Sequence, residues 1–351
     1  MSEPSVEIIV LNYNGREDTL RCLSSLSRTS YPNFGITLVD QNSDDGLAQE
    51  IPTLFPEVQL VRNKQNNGFC GGNNQILKSS TAKYCVLLNN DTEQEPEWLS
   101  RLVEVAETDP HIAALQPKVL STKDRRKFDY AGAAGGFIDV YGYPQCRGRI
   151  FTQIEEDHGQ YNDLRQVFWC CGVAMFLRRE VLNRVGCLDE VMFSYAEETD
   201  LSWRLNLAGY KLYCVPDSVI YHVGSGAWGD AKLQARKDYL LHRNHWIILF
   251  KNYCPGTWIR IFPMKLFLEF LACFRFLFGT PLRSIAIIKA NFWIMANLRL
   301  LWRKNREVMK LRTQPDSVIM RRMIGVSFAW HFFVLGRRRS FTDFVKFIEE
   351  Y

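Results

Sequence analysis

The sequence predicts an α/β fold: a mostly parallel sheet flanked by helices, followed by an α-helical C-terminal extension. Short apolar runs alternate with helix-period segments from about residue 6 to residue 119. Polar residues close several of those runs. After Lys232 the composition turns basic and aromatic.

Residues 6–11 form a continuous apolar run with one charge, as a buried parallel strand does, and Asn12-Tyr-Asn-Gly15 breaks it. Residues 18–27 carry Leu20, Leu23 and Leu26 at helical spacing, and Tyr31-Pro-Asn marks a turn. Residues 36–39 predict a second strand ending on Asp40, residues 47–55 a short helix interrupted by Pro52, and residues 58–61 a third strand. A Gly/Asn-rich loop over 66–74 leads into a short helix. Residues 84–88 predict a fourth strand ending at Asn89-Asn-Asp91, residues 96–108 a helix, and residues 113–119 a further strand. Strand–helix alternation of this kind implies right-handed crossovers and a parallel sheet. Ligands of such sheets sit outside the carboxyl ends of the strands, where Asn12, Asp40 and Asp91 fall.

From 123 to 163 glycines and aromatics dominate, which predicts loops or a hairpin over a cleft. Residues 168–177 predict a strand, 180–185 a short helix, and 198–208 an amphipathic helix that Gly209 can terminate. Residues 211–215 and 219–222 predict strands on either side of Pro216.

With 47% apolar and 23% charged residues, the chain is neither disordered nor fibrous. The net charge of +5 hides a division: the first 231 residues carry 21 Lys/Arg and 31 Asp/Glu, the remaining 120 carry 22 and 7. An acidic part joined to a basic one implies two tasks. The ten cysteines form no CxxC pair, so reduced cysteines packed as small hydrophobes are expected rather than disulfides or zinc. The polar, acidic N-terminus lacks the pattern of a secretory signal, which places the expected site of action in the cytoplasm. In the tail, residues 246–250, 259–278 and 285–302 are rich in aromatic and aliphatic side chains. Arg260, Lys265, Glu269 and Arg275 interrupt the longest stretch, so no clean membrane span is expected. Interfacial helices fit better, with Arg303-Lys304, Arg321-Arg322 and Arg337-Arg-Arg339 facing anionic headgroups; core helices with solvated basic faces are the alternative. No nucleic-acid motif is present, and no nucleic-acid partner is expected.

Four segments in order carry a family resemblance: Ile8-Ile-Val-Leu-Asn-Tyr-Asn-Gly15, Val39-Asp-Gln-Asn-Ser-Asp-Asp-Gly46, Leu87-Leu-Asn-Asn-Asp91 and Met192-Phe-Ser-Tyr-Ala-Glu-Glu-Thr-Asp-Leu-Ser-Trp-Arg204. Over residues 6–253 the chain resembles inverting family 2 glycosyltransferases of the GT-A fold, and among them the rhamnosyltransferase-like enzymes of bacterial surface polysaccharides. The resemblance implies a GT-A domain over 1–253, with a nucleotide-binding half (1–120) and an acceptor and catalytic half (121–253), and a basic helical extension over 254–351. It implies a UDP- or dTDP-sugar donor, contacted by Asn12, Asn14, Asp40, Asn42, Asn67, Gly68, Asn73, Asn89 and Asn90. Asn89-Asn90-Asp91 stands where the family has Asp-x-Asp, with Asn89 replacing the first acid. Asp91 and His222 are the implied ligands of Mg²⁺ or Mn²⁺, which would offset the charge gathering on the leaving diphosphate.

Glu197-Glu198 aligns with the family's acidic pair. The resemblance makes Glu198 the general base that deprotonates the acceptor hydroxyl, with Asp200 a second candidate. Arg204, four residues from Asp200, suggests an ion pair. Cys171 and Gly172 fall at the implied acceptor side. The implied acceptor is a polyprenyl-diphosphate-linked or other glycan, met by a protein lying peripherally on an anionic membrane surface at the inner face of the cell membrane. Two rival readings remain at this level: a nucleotidyltransferase, and a catalytically weakened nucleotide-sugar-binding subunit.

Overall fold

The computed structural model describes residues 3–224, 230–336, 340–345 and 347–348. The basic run at 337–339 lies outside the described residues.

Its first half is a sheet wound by helical crossovers. The strands are β1 (Val6–Asn12), β2 (Phe34–Asp40), β3 (Gln59–Arg62), β4 (Tyr84–Asn89), β5 (Thr92–Gln94) and β6 (Ile112–Ser121). Between them run α1 (Arg16–Leu26), α2 (Leu47–Leu54), α3 (Gly68–Ser79) and α4 (Trp98–Thr108). β1 pairs in parallel with β2 on one side and β4 on the other, and β2 pairs in parallel with β3. The chain therefore winds outward from β1 to β3 and then crosses back to β4. The reversal between β1 and β4 is a topological switch point, where a crevice opens at the carboxyl ends. Register sharpens it: Asn12 pairs with Asp40, Leu11 with Asn89, and Asp40 with Arg62. The β-branched and aliphatic interior of β1 and β4 is fully buried, so this row of polar residues marks where the strands leave the core.

The middle of the chain does more than cover the cleft. Residues 136–154 form a small antiparallel sheet of β7 (Gly136–Ile138), β8 (Pro144–Cys146), β9 (Arg149–Ile150) and β10 (Gln153–Ile154). β11 (Arg165–Gln166) pairs with the far strand of the main sheet. β12 (Ala174–Arg178) then inserts antiparallel between β4 and β6. After the single turn α5 (Leu182–Val185) and the helix α6 (Glu197–Leu207), β13 (Lys211–His222) pairs in parallel with β6. The two strands expected around Pro216 are one strand, its register broken between Val215 and Val219. β13 ends on His222, beside β5.

The rest is helical: α7 (Ala231–Asn252), α8 (Pro255–Leu277), α9 (Pro281–Ala296), α10 (Leu298–Leu311), α11 (Asp316–Arg321) and α12 (Thr342–Val345). The apolar stretch at 285–302 is not one helix. It breaks at Asn297, where α9 and α10 meet at 71°. Among the described residues, no single helix is long and apolar enough to cross a membrane. The extension shares the core of the sheet domain: Ile324 exchanges backbone hydrogen bonds with Ile138 and Val140, and Phe328 N–H donates to Asp139 Oδ2 at 2.8 Å. Its outer surface is unlike its inner one. Ile259, Phe270, Phe274, Phe278 and Phe292, on or beside α8 and α9, are each more than half exposed. The cysteines are all unpaired, seven of the ten buried.

Gly136 shows how tightly the small sheet is pressed on the main one. A Cβ there would overlap the indole of Trp169, whose own N–H donates to Phe137 O at 2.8 Å. Gly136→Ala is expected to cost roughly 1–3 kcal/mol through overpacking, read as a lower urea midpoint; an unchanged midpoint would show that the indole can yield.

Candidate active site

On the donor side, the polar row is wired together. Asn12 is buried; its Nδ2 donates toward Asp40 Oδ1 (3.2 Å), Ser43 Oγ (3.1 Å) and Asp45 Oδ2 (3.2 Å), while its Oδ1 accepts from Gly15 N–H and Thr19 Oγ1. Asn12 thus organises the loop after β1. Asp40, also buried, accepts from Ser43 N–H and lies 3.4 Å from Arg62 Nε. Asn14 and Asn42 are exposed beside it, both with positive φ, and Asn14 Oδ1 accepts from Asp44 N–H at 2.8 Å. Short polar side chains tolerate that conformation best.

The 66–74 stretch is fixed by Gln41, which the sequence did not single out. Its Oε1 accepts from Asn63 Nδ2 and Asn67 N–H, and its Nε2 donates to Gly68 O. Gly68 has φ +70°, and a Cβ there would lie 2.6 Å from Phe193 O. Asn73 donates to Phe69 O, but its buried Oδ1 meets no partner. Asn74 holds α3 to the 188–190 segment through Leu188 O, Leu188 N–H and Glu190 Oε1.

Beyond β4, the expected metal-binding residues converge. His222 Nε2 lies 3.0 Å from Asp91 Oδ1 and 3.4 Å from Asn89 Nδ2, and Asn90 Nδ2 donates to Thr19 Oγ1. His222 Nδ1 is 2.9 Å from Asp129 Oδ1. Burial pulls the imidazole pKa down, but Asp129 and Asp91 outweigh it and raise it to about 10. Asp129 was invisible to sequence reasoning: it lies in the loop-like middle region with no motif around it. Its position behind Nδ1 is that of a carboxylate orienting a ligand histidine. No set of three His, Cys, Asp or Glu side chains forms a ready cage among the described residues. One carboxylate and one imidazole, with an amide beside them, still fit Mg²⁺ or Mn²⁺, ions that take few protein ligands when phosphates supply the rest.

Across the cleft, α6 begins after a strained turn. Phe193, Tyr195 and Ala196 all have positive φ, which persists only where neighbours over-determine it. α7 supplies those neighbours: Asn244 Nδ2 reaches Met192 O, Ser194 O and Tyr195 O at 2.7–3.0 Å, and Arg243 Nη2 reaches Val191 O and Met192 O. The acidic pair that follows is divided by its surroundings. Glu197 is buried, its Oε2 meets no partner, and burial followed by the charge of Glu198 drives its pKa well above the ordinary value. Glu198 is half-buried, and burial lifts its pKa to about 7 against the pull of the helix N-terminus. It can therefore exchange a proton near neutrality. Gly172 lies beside it; a Cβ there would sit 3.4 Å from the Phe69 ring and 3.9 Å from Glu198 Cβ. Cys171 is buried against Gly132, with burial pushing up its thiol pKa, so the surface on this side belongs to Gly172.

Asp200 has a different place from the catalytic one considered for it. It is fully buried, and its oxygens meet Arg204 Nε (2.9 Å), Lys251 Nζ (2.8 Å) and Asn252 Nδ2 (3.0 Å). Burial would raise its pKa, but Lys251 and Arg204 hold it below the ordinary value. With no surface and no spare oxygen, it anchors α6 to α7 rather than moving a proton.

A parallel sheet with its polar row at the switch point, an acid and a histidine beyond β4, and an acidic helix start opposite define a glycosyltransferase of the GT-A fold. The chain belongs to glycosyl transferase family 2, whose model matches residues 7–186. It is 30% identical over 247 residues to the O-antigen biosynthesis protein RfbC of Myxococcus xanthus, covering 68% of this chain but 19% of that protein. It is 25% identical over 233 residues to the N-acetylglucosaminyl-diphospho-decaprenol L-rhamnosyltransferase of Mycobacterium tuberculosis, covering 61% of this chain and 75% of that one. Of solved structures, GalNAc-T7 with UDP, GalNAc and Mn²⁺ aligns with a TM-score of 0.57 at 15% identity, covering 85% of this chain and 57% of that one. The mannosyltransferase of Pyrobaculum calidifontis with GDP-Man and Mn²⁺ aligns at 0.50 and 15% identity, covering 89% and 86%. These structural likenesses establish the fold.

Removing the charge of Asp200 leaves Lys251 and Arg204 under-compensated in the core. Asp200→Asn is expected to cost about 3–5 kcal/mol, read as a lowered guanidinium midpoint, with turnover falling as α6 loosens. Full stability with lost turnover would instead return Asp200 to the catalytic group.

Proposed function

We propose that this protein transfers a sugar, with inversion, from a UDP- or dTDP-sugar to a polyprenyl-diphosphate-linked glycan during bacterial surface polysaccharide synthesis. The observation that carries the reading is Glu198: a half-buried carboxyl near pKa 7, at a helix start beside Gly172, across the cleft from the strand-end row. The Myxococcus O-antigen biosynthesis protein and the Mycobacterium diphospho-decaprenol rhamnosyltransferase to which the chain is similar favour a surface-glycan product and a diphospho-lipid acceptor.

In this reading Asp40 and the loops after β1 and β2 receive the nucleoside. Asp91 and His222, with the Asn89 side chain, would hold Mg²⁺ or Mn²⁺. When bound, the ion would neutralise charge on the departing diphosphate. Glu198 takes the acceptor hydroxyl proton as that oxygen attacks the anomeric carbon from the face opposite the diphosphate; the C–O bond to the nucleoside diphosphate breaks in the same displacement. Glu197, kept neutral by its neighbour and by burial, leaves Glu198 as the member of the pair that titrates in the working range.

A second observation bears on where the protein acts. Between Pro255 and Arg306 the one acid is Glu269, which is buried on Lys265, His242 and the core. The outer face of α8 and α9 therefore offers large apolar side chains together with the exposed Arg260, Arg275 and Lys289, and no exposed acid. That combination suits an anionic bilayer interface, and we assign this face to the inner surface of the cell membrane.

Glu198→Gln should lower nucleotide release from UDP- or dTDP-sugars by about 10²–10⁴-fold while nucleotide affinity with Mn²⁺ holds. Wild-type kcat/KM should rise with pH up to about 7 and then level, because only the deprotonated carboxylate accepts the proton. A Glu198→Gln enzyme of wild-type rate would remove the proposed base. Separately, the protein should float with phosphatidylglycerol-containing vesicles, less with purely zwitterionic ones, and Phe270→Glu with Phe274→Glu should abolish flotation; equal behaviour of the double variant would discard the membrane face.

A further inference from the structure

Among the described residues, the buried Lys and Arg side chains other than Arg149 each have a carboxylate or several oxygens close by. Lys118, Arg147, Arg204, Lys251 and Lys265 each have a carboxylate within 2.9 Å. Arg178 and Arg243 have none, but each makes at least three hydrogen bonds to backbone or amide oxygens at 2.6–3.3 Å. Arg149 of β9 differs. It is 7% exposed, yet its Nε meets no partner, Nη1 has Phe151 O at 3.3 Å, and Nη2 has the sulfur of Cys146 at 3.7 Å. A buried guanidinium held this loosely costs free energy that an anion would recover.

Its surroundings say which anion fits. The Arg149 guanidinium lies 4.7 Å from the centre of the Tyr130 ring, and Tyr130 follows Asp129, the carboxylate behind His222. Lys237 of α7 approaches the same ring at 5.9 Å and the ring of Tyr195 at 5.7 Å. Tyr195 stands two residues before the Glu197-Glu198 pair. Two cations and two aromatic rings thus bridge the metal side of the cleft and the base side. Burial and the charges of Arg149 and Arg283 lower the Lys237 pKa against the opposing charge of Asp238. The sulfur that touches Arg149, that of Cys146, feels the charges of both Asp129 on the metal side and Glu198 on the base side. Lys237 reaches the ring of Tyr195, just before the acidic pair, so an anion held between the two cations lies beside the group that takes the acceptor's proton. The next residue, Asp238, pairs with Arg283 of α9, whose outward side chains Ile285, Ile288 and Phe292 are exposed. A lipid chain leaving this point has an apolar path along α9.

We propose that Arg149 and Lys237, framed by Tyr130 and Tyr195, form the subsite for the phosphate of a lipid-linked acceptor, with its hydrocarbon running onto α9. The proposal rests on the glycosyltransferase reading of the cleft and adds to it the residues that recognise the acceptor.

Calorimetry on the full chain tests this with two probes: farnesyl diphosphate in EDTA, and UDP with Mn²⁺. Wild type should bind both. Arg149→Gln and Lys237→Gln should each weaken farnesyl diphosphate by about tenfold or more, as lost charge-assisted hydrogen bonds do, and leave UDP within about twofold. Lys237→Arg should keep farnesyl diphosphate binding, which separates charge from packing. Should Arg149→Gln fail to fold, the Lys237 variants carry the test. Unchanged farnesyl diphosphate binding in both Gln variants overturns the subsite, and a parallel loss of UDP reassigns it to the donor. Inorganic diphosphate binding as tightly as farnesyl diphosphate overturns the lipid link. Failure of wild type to bind either UDP or dTDP with Mn²⁺ would sink the proposed donor reading itself, whatever farnesyl diphosphate does.

Discussion

A buried network of five charges sets the geometry of the catalytic side. Lys251 of α7 lies between Asp189 and Asp200, at 2.8 Å from each; Arg204 completes Asp200 and Lys304 of α10 completes Asp189. Such pairs add little net stability over apolar packing, because desolvation consumes most of the Coulombic gain. They are intolerant of displacement, however, since a shift leaves a charge uncompensated in the core. The network therefore fixes orientation: the 187–192 segment, α6, α7 and α10 can pack in few ways that satisfy it. Glu198 lies two residues before Asp200 in the first turn of α6, so its backbone position follows. The strained residues 193–196 are affordable for the same reason, with Arg243 and Asn244 closing the turn from α7.

The helical extension is thus part of what holds the start of α6, although its sequence looks like an appendage. The expected boundary at residue 253 falls between α7 and α8, yet α7 packs on α9 and α10 and also braces α6. The reverse dependence is visible at the small sheet, where the chain beyond α11 returns to pair with residues 138–140. The sheet half, built on the switch point, and the helical brace meet where Gly68 of α3 packs on Phe193, just before α6. This division is why strand-end polar residues and helix-start acids, far apart in sequence, face each other.

The sequence made the donor half legible because its determinants are local. Apolar runs of strand length, each followed by a polar residue, place Asn12, Asp40 and Asn89 at carboxyl ends without any knowledge of partners. Glu197 and Glu198 were visible through the family resemblance of the 192–204 segment, since acids opening a helix are otherwise ordinary. The residues that went unseen act through long-range contacts. Asp129 matters because β13 brings His222 to it, 93 residues away. Gln41 matters because of Asn63, Asn67 and Gly68. Arg149 sits on a two-residue strand in a stretch that reads as loop, and only burial distinguishes it from a solvated arginine. Of the partners of Asp200, the ion pair to Arg204 was readable from the i,i+4 spacing, whereas Lys251 and Asn252 were not. The break at Asn297 escaped because periodicity continues on both sides of it.

The charge division takes its meaning from where the cations go. Several of the tail's basic residues are consumed internally: Lys251 and Lys304 on Asp189, Lys265 on Glu269, Arg283 on Asp238, Arg312 on Asp316. These hold helices to one another and to the acidic first part, so part of the excess is structural. What remains exposed on α8 and α9 is interleaved with phenylalanines that a water-facing helix gains nothing by displaying. Arg299, Arg303 and Arg306 of α10 continue the same exposed basic surface. A solvated basic face accounts for the arginines and leaves the phenylalanines unexplained; a core-packing face accounts for neither, since both are exposed. The proposed anionic, apolar interface accounts for both kinds of residue together.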